Sequence, residues 1–117
     1  MVSPCLLALA LAARAGASAL YDISVDDLQS GLPVPLSFYQ GKVLLVVNLA
    51  SRCGYTDSTY AMLNELHSRY EARGLRVLGF PCNQFGAQEP GGPDEIFSFA
   101  TTTKKVGWDL FRKIDGS

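Results

Sequence analysis

The stretch VLLVVNLASRCGYTDSTY, from Val43 to Tyr60, limits the fold more than any other, because an apolar run leads into a cysteine just where a helix can begin. From Val43 to Leu49 every residue but Asn48 is apolar, the pattern of a strand buried on both faces in a parallel sheet covered by helices. Open sheets of this kind carry their sites at the carboxyl ends of the strands, which puts Cys53 forward as the reactive residue. Thr56 or Asp57 can cap the helix that follows, and near its unsatisfied N–H groups and positive dipole end a thiolate is favoured over a thiol. Arg52 is a solvated charge that can help to hold such a thiolate.

From Asp57 to Arg73 the apolar residues Tyr60, Leu63, Leu66 and Tyr70 recur at helical steps, and Gly74 supplies the left-handed residue that closes such a helix. Leu75–Phe80 reads as a second strand. Strand, helix and strand make a right-handed βαβ unit with parallel strands, so the loop Pro81-Cys82-Asn83-Gln84-Phe85-Gly86 leaves the sheet beside the loop of Cys53. Upstream, Leu20–Val25 and Val34–Phe38 are expected to pair as a hairpin around the turn Gln29-Ser30-Gly31. Downstream, the segment from Gly91 to Glu95 opens a helix whose Ile96, Phe97 and Ala100 face the core, and Val106–Ile114 is part strand and part turn. Phe99 and Phe111 are expected in the core, and His67 is a surface or packing residue.

A chain of 117 residues with 48% hydrophobic content is one soluble α/β domain with enough apolar surface for a core. A net charge of −1 without basic runs leaves no footprint for nucleic acid. Cys53 and Cys82 fit no zinc spacing, His67 is the sole histidine, and no Cys-x-x-Cys pair is present, which sets metal and dithiol exchange aside. The apolar run Leu6–Ala13, too short for a membrane span, is followed by small residues in an A-x-A pattern, although no Lys or Arg precedes it. Residues 1–19 are therefore expected to be a cleaved secretion signal that takes Cys5 with it, leaving residues 20–117 as the domain.

VNLASRCGYT followed by LGFPCNQFGAQEP closely resembles the glutathione peroxidase family, over about Leu20 to Ser117. The resemblance implies a thioredoxin-like fold, incomplete at its C-terminal end, and reduction of hydrogen peroxide and organic hydroperoxides in the response to oxidative stress. It carries Cys53 onto the peroxidatic position and Gln84 onto the glutamine that hydrogen-bonds it, whose N–H donors favour a charged sulfur. Cys82 is either a candidate resolving cysteine or a small packing residue. The family's WNF motif is absent and lies beyond the point where this sequence ends, so that the chain resembles a partial version; Trp108, in the context GWDLF, takes no such role.

Cysteine in place of selenocysteine implies a slower peroxidase. Thr101 stands in the helix where many cysteine-containing relatives place a resolving cysteine. No cofactor is implied; the reducing substrate would be glutathione or a thioredoxin-type protein dithiol. The chain is also similar to secretory-pathway members that pass oxidation to protein disulfide isomerases, which with the N-terminal run predicts the endoplasmic reticulum lumen or the extracellular space. The rival reading is a non-catalytic truncated product, a redox sensor or binding partner of secretory-pathway disulfide oxidoreductases.

Overall fold

The computed structural model describes residues 19–52, 54–83 and 91–114. The expected nucleophile Cys53, its partner Gln84 and all but the last residue of the expected signal segment lie outside the described residues. The chain runs through strands β1 (Ser24–Asp26), β2 (Pro33–Pro35) and β3 (Val43–Leu49), helix α1 (Thr56–Tyr70), strand β4 (Leu75–Pro81), helix α2 (Pro93–Ser98) and strand β5 (Asp109–Leu110). β1 and β2 pair antiparallel, and β3, β4 and β5 form a three-stranded parallel sheet with β4 in the middle.

The expected hairpin exists but is shorter than the sequence predicts. Residues 19–21 are helical, so the first strand starts only at Ser24. The second ends at Pro35, and Leu36–Tyr39 turns into a 3-10 helix. Its amphipathic spacing buries Leu36 and Tyr39, which a continued strand would have put on opposite faces. Asp27 builds the turn between the strands: its Oδ2 accepts the Gln29 and Ser30 N–H groups, and Gly31 closes the turn at φ 72°.

The βαβ unit forms as expected. α1 ends at Tyr70, a 3-10 turn over Glu71–Arg73 continues it, and Gly74 at φ 101° reverses the chain into β4. Burial, however, is distributed differently. β3 is the edge strand, with Val43 69% and Val46 57% exposed, so the expectation that it is buried on both faces is corrected. The central strand β4 holds that place instead, buried from Val77 through Pro81. Apolar composition is necessary for a doubly covered strand, but cover depends on neighbours, and among the described residues β3 has a strand on one side only.

Two apolar clusters lie on the two sides of β4. One joins Leu49, Tyr60, Leu63, Val77, Ile96, Ala100, Trp108 and Leu110 under α1 and α2. The other joins Leu36, Tyr39, Leu78, Phe80 and Phe111 under the hairpin, where Phe80 and Phe111 stack at 5.0 Å. Phe97 and Phe99 pack only half-buried against the first cluster, whereas Phe111 is fully buried. α2 begins with Pro93 after Gly92, as its sequence suggests, and passes into a π-helical turn over Phe99–Thr103. Among the described residues no helix is long and apolar enough to cross a membrane.

Candidate functional site

The site is approached from the two strand ends that frame it. β3 and β4 run parallel in register, with Leu49 opposite Pro81. The ladder continues one step further, because the Cys82 N–H donates to the Leu49 carbonyl at 2.9 Å. The segments that lead to Cys53 and to Gln84 therefore leave the same edge of the sheet from directly adjacent strands. Cys82, half-buried, carries a free thiol at that edge.

Beyond Leu49 the chain crosses Ala50, Ser51 and Arg52 and resumes at Gly54 and Tyr55 before α1. Arg52 is exposed, as expected of a solvated charge. Neither Thr56 nor Asp57 caps the helix. Tyr55 occupies the N-cap position without a side-chain cap bond, and Thr56 is already the first helical residue. The Thr56 hydroxyl points back instead and donates to the Ala50 carbonyl at 2.6 Å, with Thr56 only 7% exposed. Asp57, in the first turn, pairs with Lys104 and also complements the helix dipole.

The far side of α1 is joined to the rest of the fold by a part-buried polar chain. Trp108 Nε1 donates to Asn64 Oδ1 at 2.9 Å, and Asn64 Nδ2 donates to the Lys104 carbonyl at 2.7 Å. Trp108 stacks on Tyr60 at 6.0 Å. Its indole is thus engaged by Asn64 at the N–H and by Tyr60 at the ring face. Sequence reading missed Asn64; the available signal was that a buried tryptophan needs an acceptor for its N–H. His67 is half-buried on α1, consistent with a packing residue. Among the described residues no group of three or more His, Cys, Asp or Glu is placed to hold a metal ion.

Comparison with known proteins bears on family and fold. The family model described as glutathione peroxidase matches residues 20–117. The probable phospholipid hydroperoxide glutathione peroxidase 6, mitochondrial, of Arabidopsis thaliana is 49% identical over 105 residues, 90% of this chain and 45% of the relative. Glutathione peroxidase 1 of Helianthus annuus is 49% identical over 96 residues, 82% of this chain and 57% of the relative. The chain spans about half the length of the curated relatives it matches. Among solved structures, T. cruzi GPX1 superposes with a TM-score of 0.60 at 34% identity, covering 84% of this chain and 56% of that one. A thioredoxin-like protein from Aeropyrum pernix reaches 0.64 at 16% identity, covering 93% and 72%, a likeness of fold alone.

These relatives overturn one expectation, the placement in the endoplasmic reticulum lumen or the extracellular space. The Arabidopsis thaliana protein is mitochondrial by name, so likeness to this family does not point to the secretory pathway. The N-terminal run could not carry that placement alone, since it lacks the positively charged segment that precedes the apolar core of a secretion signal. The family model spans residues 20–117, the fold matches T. cruzi GPX1 over 84% of the chain, and on that ground the chain belongs to the glutathione peroxidase family.

Proposed function

We propose that the protein is a thiol-dependent peroxidase in which the Cys53 thiolate attacks a peroxide oxygen. The oxygen–oxygen bond breaks, the sulfur becomes a sulfenic acid, and the leaving oxygen departs as water or an alcohol after protonation. A thiol then condenses with the sulfenic acid, releasing water and forming a disulfide that a second thiol reduces. Gln84 donates a hydrogen bond to the thiolate, and Cys82 is the candidate internal resolving thiol. The observation that carries this reading is the in-register end of β3 and β4, from which both loops emerge side by side.

Relatives named for phospholipid hydroperoxides suggest lipid hydroperoxides beside hydrogen peroxide as substrates, in the response to oxidative stress. The reductant is glutathione or a protein dithiol. The test is peroxide consumption with glutathione, thioredoxin or a protein disulfide isomerase as the sole reductant, against hydrogen peroxide and a phospholipid hydroperoxide. Turnover with at least one pair, lost in Cys53→Ser, is expected. A non-catalytic redox sensor is favoured by the exposed Val43 and Val46 on an edge strand, which suit a binding surface. That second reading gains if Cys53 oxidises but no reductant sustains turnover.

A further inference from the structure

We propose that the groove between β3 and the C-terminal end of α1 binds one fatty acid, its chain held in the groove and its carboxylate at Arg73 and Lys42. This site does not depend on the role of Cys53. The groove lies at the end of the sheet where Val43 is paired with Leu75, whereas the segments that lead to Cys53 and Gln84 leave the other end, where Leu49 is paired with Pro81. Six residues of strand, about 20 Å, separate the two ends.

The groove encloses about 430 Å³, within the range of about 300–1,000 Å³ usual for small-molecule sites. Val43, Leu45 and Leu75 line it from the sheet, and Leu66 and Tyr70, one turn apart, line it from α1. The apolar stripe of α1 is covered unevenly. Tyr60 and Leu63 in its first half are buried, but Leu66 and Tyr70 in its second half are only half-buried. Among the described residues β3 is the edge strand, so no further strand closes the groove on that side.

Charge decides the occupant. Arg73 is the sole charged residue in the lining, and Lys42 stands next to it, its stem passing Gly74, where a Cβ would lie 4.0 Å from Lys42 Cδ. Both are exposed, and among the described residues neither makes an ion pair; Glu71, in the same turn as Arg73, pairs with neither. An apolar groove that ends at two such cations matches an aliphatic chain that ends in an anion. A second copy of the chain would bring to a two-fold contact the same two cations and, from the matching groove, no carboxylate. The complementarity therefore favours the fatty acid over self-association.

The test titrates the full chain with butyrate, hexanoate, octanoate and decanoate below their micelle concentrations, and with decanol as the neutral counterpart. Binding is followed by heat and by NMR shifts. Affinity is expected to rise about threefold for each added methylene, and decanol to bind about fivefold more weakly than decanoate. Shifts should fall on Val43, Leu45, Leu66 and Tyr70 and spare Cys82. The double variant Lys42→Gln/Arg73→Gln should weaken decanoate about fivefold and leave decanol unchanged.

Both substituted residues are exposed, and emission of the buried Trp108, the chain's sole tryptophan, reports whether the variant folds. The chain-length series needs no variant at all. Absence of saturable binding overturns the proposal, as does decanoate affinity that ignores both chain length and the two cations. Shifts centred on Cys82 would assign the amphiphile to the other end of the sheet and overturn it too. Decanoate binding that weakens as protein concentration rises, with a matching increase in sedimentation mass, gives the groove to a second copy and overturns it likewise.

Discussion

At the scale of single residues, the chemistry asks that one sulfur be charged near neutral pH while its neighbours stay inert. A hydrogen bond to a charged group is worth about 1.5–3 kcal/mol, so Gln84→Ala should raise the Cys53 midpoint by one unit or more and slow its alkylation accordingly. Alkylation kinetics unchanged across pH would remove Gln84 from the site. A second titrating residue bears on stability. Burial, aided by the hydrogen bond from Tyr39 to Asp109 Oδ2 at 2.6 Å and by that carboxylate's charge, pushes the Tyr39 phenol up from its ordinary value. In the unfolded chain the phenol ionises near pH 10, while the folded protein keeps the proton to higher pH. The stabilisation is therefore complete below about pH 10 and is lost as pH rises beyond it. Urea midpoints should fall more steeply above pH 10 in wild type than in Tyr39→Phe; parallel curves would show that Tyr39 does not contribute.

At the scale of elements, β4 is the strand on which the rest is assembled, and Gly79 at its centre explains how. A Cβ there would stand 2.6 Å from both Leu49 Cδ1 and Trp108 Cζ3, closer than side chains pack. Gly79→Ala should cost about 1–3 kcal/mol through overpacking, read as a lower urea midpoint with Trp108 emission as probe. An unchanged midpoint would mean that Trp108 moves freely. Sequence periodicity was sufficient for the βαβ unit because α1 carries a regular stripe and Gly74 has a conformational reason to end it. It failed at Val34–Phe38, where strand and 3-10 helix share the same apolar residues and only tertiary packing chooses. It failed again for Thr56, whose residue type suits a cap but whose partner, Ala50, is set by how β3 meets α1. Cys53 and Gln84 rest on motif alone and lie outside the described residues, whereas the side-by-side strand ends that lead to them followed from βαβ handedness.

At the scale of the whole molecule, β3 lies at an edge of the sheet among the described residues. β3 presents seven residues without a charge or proline, two of them well-exposed valines, the kind of edge that invites pairing with another chain. Val46→Lys should therefore reduce concentration-dependent association in sedimentation while leaving Trp108 emission intact; equal association in both proteins would show that the edge is not responsible. The matched stretch spans 45% and 57% of the Arabidopsis thaliana and Helianthus annuus relatives. The central claim nevertheless stands on one sulfur, which is reached most directly by treating the protein with one equivalent of hydrogen peroxide, without any thiol, and mapping each cysteine by mass spectrometry. Oxidation is expected at Cys53, as sulfenic acid or linked to Cys82, with both products absent from Cys53→Ser. If Cys53 is recovered as an unmodified thiol while Cys82 or Cys5 carries the oxidation, the account is contradicted.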